Sequence, residues 1–397
     1  MYRARTMLSL LLLVLAAQPT AAPAPAKAPA MEPAYVAYTT ELEQGINAGD
    51  ASILDARIDL DRLLERATRG TSVPKTFHDG FASGMRRSGM QLGKQLVATR
   101  EDESSFRMLR LRMEGGAPHA LFRVITSQGG VNYLDLELAQ KADGQVVIAD
   151  FYPYITGELF SETMRRMYLQ AAKEAGYDLV DKMMGKEQDF LKNASKLQEM
   201  QRLVQEQKFA EVVKTFDALP QSLRQSKPFL LLRLTATAQL DEAEYQKTIQ
   251  AFEKAFPNDP SLDLISIDGH MMRKDYAAVM EMIDRLDQRV KDPYLQYLRG
   301  SVMLDKGDRK TALGHFKAAV AQEPTLALTH WVLIGLSLQD KQYKDTARYL
   351  DAIERDTRVE LSPLEDIEEY KGFVKSPEYK AWKKKRAARM QAAPAVP

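Results

Sequence analysis

The sequence predicts a multidomain chain. A small α+β domain, with helices on a four-stranded antiparallel meander, precedes an all-α helical-repeat solenoid of about five helix pairs. Three observations carry this reading. Apolar and polar residues alternate in two runs, SSFRMLRLRM and VNYLDLELAQ, and the turn signals Gly115-Gly116, Gly129-Gly130 and Asp143-Gly144 divide residues 106–153 into four strand-length segments. That is the period-2 pattern of strands joined by tight turns. Beyond Tyr154 the period becomes helical and stays so nearly to the end. Finally, second helices open at Phe209, Tyr245, Tyr276, Asp308 and Tyr343, at somewhat uneven intervals. Helix–turn–helix units repeating every thirty-odd residues indicate stacked hairpins.

The chain has 397 residues, 45% of them apolar, enough for two or three cored domains. It opens with MYRARTMLSLLLLVLAAQPTAA: a basic start (Arg3, Arg5), an apolar run over residues 7–17, then small residues. This is the pattern of a secretory signal peptide, predicted over 1–22. The run is shorter than the roughly 20 residues that span a bilayer, and a retained anchor is the alternative. The absence of cysteine excludes disulfides, thiolate metal sites and a lipidated cysteine. Together these predict export, to a bacterial periplasm or to the outside. Net charge is +1, and −1 without Arg3 and Arg5, so nothing supports a nucleic-acid partner.

Residues 23–34 are Pro/Ala-rich and predict an extended tether. The α+β domain is predicted over 35–157. Residues 35–47 form a helix candidate stopped by Asn47-Ala48-Gly49-Asp50, and 51–66 stay ambiguous between strand and helix. Phe77, Phe81, Met85 and Leu92 predict one helix over 74–99. The strands are predicted at 106–113, 119–127, 131–140 and 145–153. Leu109, Leu111 and Met113 alternate with Arg110 and Arg112, and Leu134, Leu136 and Leu138 with Tyr133, Asp135 and Glu137. One face of the sheet should therefore be buried and the other solvated. Over 158–186 a connecting helix is predicted, N-capped by Ser161 and interrupted by Gly185. The repeats occupy 187–356, capping helices 357–390, and a short tail 391–397 is predicted to be disordered.

In GSVMLDKGDRKTALGHFKAAVAQEP (300–324), Gly300 and Ala312 remove bulk where two helices cross. Phe316 and Ala319 fill the space against the next helix, and Pro324 ends the second helix. These five residues resemble the tetratricopeptide repeat, although Gln296 and Arg299 stand where that family usually has Trp and Leu. The next unit supplies Trp331, Ile334, Gly335 and Ala347 at corresponding places, then departs at Asp351 and Glu354. Earlier units are degenerate. At the end of the chain, Ile367, Tyr370, Phe373 and Trp382 pair with a charged face, as in a helix that closes such an array.

The resemblance implies a concave groove lined by Tyr294, Tyr297 and Ser301, then Thr329, Val332 and Leu336, and earlier Leu262, Ile265 and Gly269. This lining is apolar and aromatic and suits a peptide segment or partner helix. The basic run 383–389 reads as a solvated helix end. Helices followed by a meander also resemble, in architecture only, the nuclear-transport-factor-two-like or cystatin-like superfamily. That resemblance implies a pocket, for which Asp135, Asp150, Tyr133, Tyr152, Tyr154 and His78 are the ionisable candidates. The five histidines (His78, His119, His270, His315, His330) form no metal motif, and no phosphate loop or nucleophile elbow is present.

The sequence thus predicts a non-enzymatic interaction scaffold with no cofactor, binding a protein or peptide partner through its concave face. Two alternatives remain: small-molecule binding or proton transfer in the N-terminal domain, and self-association through the groove.

Overall fold

The computed structural model describes residues 32–98, 105–126, 130–177, 185–257, 259–357 and 359–392. The leader, most of the tether and the extreme C-terminus lie outside these residues. The fold class is the one predicted. Helices α1 (Pro33–Ala48), α2 (Ser52–Asp55), α3 (Leu60–Thr68), α4 (Lys75–Ser88) and α5 (Leu92–Ala98) precede a sheet ordered β1 (Ser105–Glu114), β2 (Ala117–Ile125), β3 (Val131–Gln140) and β4 (Val146–Pro153). Neighbouring strands are antiparallel throughout. Helix α6 (Phe160–Glu174) returns to pack on α3 and β4.

Several local expectations need correcting. The single helix over 74–99 is two, broken where Gly89 turns to φ +66°. The ambiguous stretch 51–66 divides into α2, a lone parallel bridge from Ile58 to Ile148, and the start of α3. Ser161 does not cap α6. It lies inside the helix, and its N–H donates to the Asp150 carboxylate, 3.2 Å away, so β4 supplies the cap from across the domain.

The face of the sheet toward α1–α6 is a dry core of Leu42, Leu63, Phe122, Leu136 and Ile148, none of them exposed. Strand β1 reaches it only through a bulge. Phe106 and Met108 point into this core, Leu109 is the extra residue, and Leu111 resumes the core side. Leu109 therefore faces the opposite way from Leu111, against the simple alternation expected.

The second face is not solvated either: it sits on the helical array. Leu121, Tyr133 and Tyr154 pack with Val279, Ile283, Leu286 and Leu295. At the centre of this contact Arg123, fully buried, meets Asp292 at 2.6 Å and Glu323 at 2.6 Å, which are 0% and 3% exposed. Tyr133 donates its hydroxyl to Asp292, 2.8 Å away, and Arg107 adds a second cation 3.4 Å from Glu323. Burial works against the Arg123 charge, and the two carboxylates outweigh it, so its pKa rises.

The array is five hairpins: Lys186–Gln205 with Phe209–Asp217, Lys227–Ala238 with Glu242–Ala255, Pro260–Met272 with Tyr276–Val290, Tyr294–Asp305 with Arg309–Gln322, and Ala327–Gln339 with Tyr343–Asp356. The residues capping the second helices are Lys208, Asp241, Asp275, Asp308 and Gln342, evenly spaced to within a single residue. The period is therefore more regular than the aromatic openings suggested. Four positions after each cap stand Val212, Tyr245, Val279, Ala312 and Thr346. Eight after stand Phe216, Ile249, Ile283, Phe316 and Leu350. All ten are buried. Gln207, Lys274, Gly307 and Lys341, each immediately before a cap, adopt positive φ and make the turn.

This register bears on the two glycines. A Cβ on Gly300 would lie 2.6 Å from the Phe316 ring, so the bare backbone is what lets that ring in. One period later, in the fifth hairpin, Ile334 and Thr346 take the places of Gly300 and Ala312. Gly335 and Ala347, expected there, are displaced by a single position, and nothing lies within 4 Å of a Cβ built on Gly335. Ile334 is 1% and Thr346 0% exposed, whereas Ala347 and Trp331 are only half-buried.

The C-terminal segment closes the stack. Tyr370, Phe373 and Trp382 join Leu350 and Ile353 in one cluster. The basic run is occupied by ion pairs. Lys385 and Arg389 bind Asp351, Arg386 and Arg389 bind Glu354, and Lys383 binds Glu365. Asp351 and Glu354, which depart from the repeat pattern, are the receptors for this last helix.

Two outcomes are expected in urea denaturation. Gly300→Ala should destabilise by about 1–3 kcal/mol through overpacking, whereas Gly335→Ala should stabilise by up to about 1 kcal/mol through helix propensity; equal effects would contradict the register. Arg123→Met, by taking the buried cation from Asp292 and Glu323 and leaving them only Tyr133 and the half-exposed Arg107, should cost about 3–5 kcal/mol.

Candidate functional site

Only part of the array-facing side of the sheet is dry. Beyond Leu121 the sheet and array diverge, and a cleft of about 870 Å³ opens between them. The cross-strand pairs set its floor in two rows: Arg110, Asp135 and Tyr152, in register across the buried Leu121, then Arg112, His119 and Glu137. The β1 bulge is responsible for the first of these. Continued alternation from Phe106 and Met108 would send Arg110 and Arg112 into the α1–α6 core, and the extra residue at Leu109 rotates them into the cleft.

The walls come from three places. The loop after β4 contributes Gly157, Glu158 and Leu159, with Glu162 from α6. The second hairpin contributes Ser226 and Lys227 at the start of its first helix and Phe256 after its second. The third contributes Gln288 and Arg289. Lys227 fastens one wall to the other: its ammonium binds the Gly157 carbonyl and Asp259, and lies 4.8 Å from the Phe256 ring centroid. Gly157 has φ +64°, and a Cβ there would come within 2.5 Å of Ser261 and 2.8 Å of Lys227. The loop comes this close to the array because the residue is glycine.

Most lining charges are already paired. Arg112 bridges Glu114 and Asp135, and His119 Nδ1 lies 3.2 Å from Asp135. Burial pushes the Asp135 carboxyl up, but hydrogen bonds to His119 and Arg112 outweigh it and leave its pKa lowered. Arg66 grips both oxygens of Glu137, at 2.6 and 2.7 Å, and lowers its pKa. Arg166 holds Glu158. Glu162 differs: burial, reinforced by Glu158, raises its pKa. Glu114, His119 and Asp135 bring one donor atom each within 4.8 Å of one another, a spacing that suits a metal. Arg112 already lies against both carboxylates, however, and supplies the positive charge that a cation would bring.

The structure places the expected site residues differently from the sequence reading. Tyr294 is fully buried, its ring 5.6 Å from the Arg123 guanidinium, so the sheet covers that position of the groove. Leu336 and Thr329 are buried too. Tyr297 stacks on Tyr294 at 5.0 Å, and Ser301 donates to the Tyr297 carbonyl. Val332 and Ile265 are half-buried against the cores of their own hairpins. Leu262 is buried, and Gly269 accommodates the Tyr245 hydroxyl. Large exposed apolar residues (Val36, Met113, Ile155, Met167, Leu240, Met272) are spread over different elements. No described helix is long and apolar enough to cross a membrane.

Of the ionisable candidates, Asp135, Tyr152 and Tyr154 line the cleft. Asp150 is a buried structural acceptor for Arg66 and the start of α6, and Tyr133 belongs to the Arg123 anchor. His78 lies on α4, on the other side of the sheet, beside Tyr168. The helix side of the sheet is filled by the core; the open volume is on the opposite face. Sequence reasoning did not single out Arg110, Lys227 or Glu162. The one trace of Arg110 was its place in an alternating Arg–Leu run.

The chain matches no protein-family model, no curated protein and no solved structure.

Glu137 gives a pH test. Its folded pKa lies below the unfolded value of 4.5. The pair with Arg66 therefore stabilises above that pH and its contribution is lost as pH falls through the folded value. Glu137→Gln should lower stability at neutral pH by about 1 kcal/mol or less after solvent screening, and the difference should vanish in acid, as read from urea curves at both pH values.

Proposed function

We propose that this protein is a non-enzymatic binding protein whose ligand site is the cleft between sheet and array, with the hairpins as its rigid second wall. The observation that carries this reading is the cleft itself: about 870 Å³, walled by two parts of the chain that a buried ion-pair anchor holds in fixed register. Its volume is in the range of small-molecule sites. Aromatic rings (Tyr152, Tyr154, Phe256) line it together with charged side chains, the mixture that fixes a small ligand's orientation.

Against proton transfer by the strand candidate Asp135, Arg112 and His119 already hold that carboxylate. The concave-face scaffold is the weaker reading, because Tyr294, Thr329 and Leu336 are committed inside the fold. The even spacing of the hairpin caps supports the tetratricopeptide resemblance as a description of the array. The leader pattern supports an exported protein.

A thermal-shift screen of small polar and aromatic compounds tests the cleft, with Gln288→Trp as the blocking variant. Gln288 is an exposed helical residue on the cleft wall, so the variant should fold. Compounds that raise the wild-type melting temperature are expected to lose that effect in the variant; shifts that persist unchanged would place binding elsewhere.

A further inference from the structure

Among the described lining groups, Glu162 and Arg110 stand outside the ion pairs. Glu114, Asp135, Glu137 and Glu158 each have an arginine partner, and Lys227 has Asp259. Arg110 has none: among the described residues it makes no ion pair or hydrogen bond, and its Nε is buried without an acceptor. Arg110 is half-buried, and a guanidinium N–H withdrawn from water without an acceptor is unfavourable, so an oxyanion arriving at the group meets a donor whose charge is unmatched.

The setting of Arg110 is built. The bulge at Leu109 aims it into the cleft, beside Leu121 on the next strand. Arg110 and Arg112 from the sheet and Arg289 from the array line the same cleft as Tyr154. Tyr154 is 7% exposed, and burial pushes its hydroxyl up to about 12, so it stays a neutral donor beside them. Tyr152 on the floor and Phe256 on the adjoining wall complete the lining, with the Lys227 ammonium 5.6 and 4.8 Å from their ring centroids.

We infer that the ligand of this cleft carries a compact oxyanion, a carboxylate or a phosphate, received by Arg110, with an apolar or aromatic body against Tyr152, Tyr154 and Phe256. The inference rests on the cleft being the binding site and adds the ligand's chemistry to it. Guanidinium suits the role because its planar fork matches two oxygens of one oxyanion, and the charge of Arg110 is not already balanced by a neighbouring carboxylate.

Isothermal titration calorimetry on the full chain tests this with four probes: 3-phenylpropionate, phenyl phosphate, neutral 3-phenylpropionamide and inorganic phosphate. The two aromatic anions are expected to bind about tenfold or more tighter than the amide. Whichever of them binds tighter names the oxyanion, and inorganic phosphate reports how much of the affinity needs the aromatic body. Arg110→Met should abolish the preference for anion over amide while leaving the urea midpoint unchanged or raised, since it removes an unmatched charge. Equal binding of acid and amide, both lost in Gln288→Trp, would overturn the oxyanion assignment and leave the cleft as a site. Anion binding untouched by Arg110→Met would also overturn it. No heat from any probe at millimolar concentration would overturn both readings.

Discussion

A guanidinium with no access to water is tolerable only where its charge is fully matched, and Arg123 finds that match in carboxylates from two successive hairpin boundaries. Asp292 precedes the first helix of the fourth hairpin and Glu323 follows its second. Desolvation largely cancels the attraction of such a pair, so its main effect is positional. The sheet has one seat on the array in which both carboxylates are reached, and any sliding would strand a buried charge. Tyr133, Tyr294 and the apolar contacts around Leu121 and Val279 fill in around that seat. The width of the cleft follows from it, since the same strands that dock at Arg123 and Tyr133 form the floor at Arg110 and Asp135.

The sheet is thus sandwiched between unlike partners. On one side the packing is ordinary helix on sheet; on the other, a strand surface meets the ends and sides of evenly repeating hairpins. The irregularity of β1 reconciles the two demands. A straight strand would have to send Phe106, Met108, Arg110 and Arg112 to the same side. One inserted residue separates the apolar pair from the basic pair and gives each the surroundings it needs.

Much of this architecture was legible. Turn pairs and alternation marked the four strands closely, because tight antiparallel turns have strong local chemistry. The fourth hairpin was legible for the same reason: Gly300, Ala312 and Phe316 form one local packing unit. Gly335 misled because a glycine at nearly the right interval looks like the same device. Only the buried contacts of Ile334 and Thr346 reveal the shift by one position. The seat of the sheet was not legible. Arg123 in HALFRVI and the acids in KDPY and QEPT carry no local signature, and what pairs them is a contact across 169 and 200 residues. The cleft was hidden likewise, since the alternation that marked a polar face could not say that a second body faced it.

That separation along the chain orders events in time. Synthesis is vectorial and each hairpin folds largely on contacts with its neighbours, so the meander is complete long before Asp292 and Glu323 leave the ribosome. Until then Arg123 has only water to solvate it, which in a nascent chain is no penalty. The anchor cannot close before Glu323 is available, so the enclosure of the space between the two bodies cannot precede the fourth hairpin.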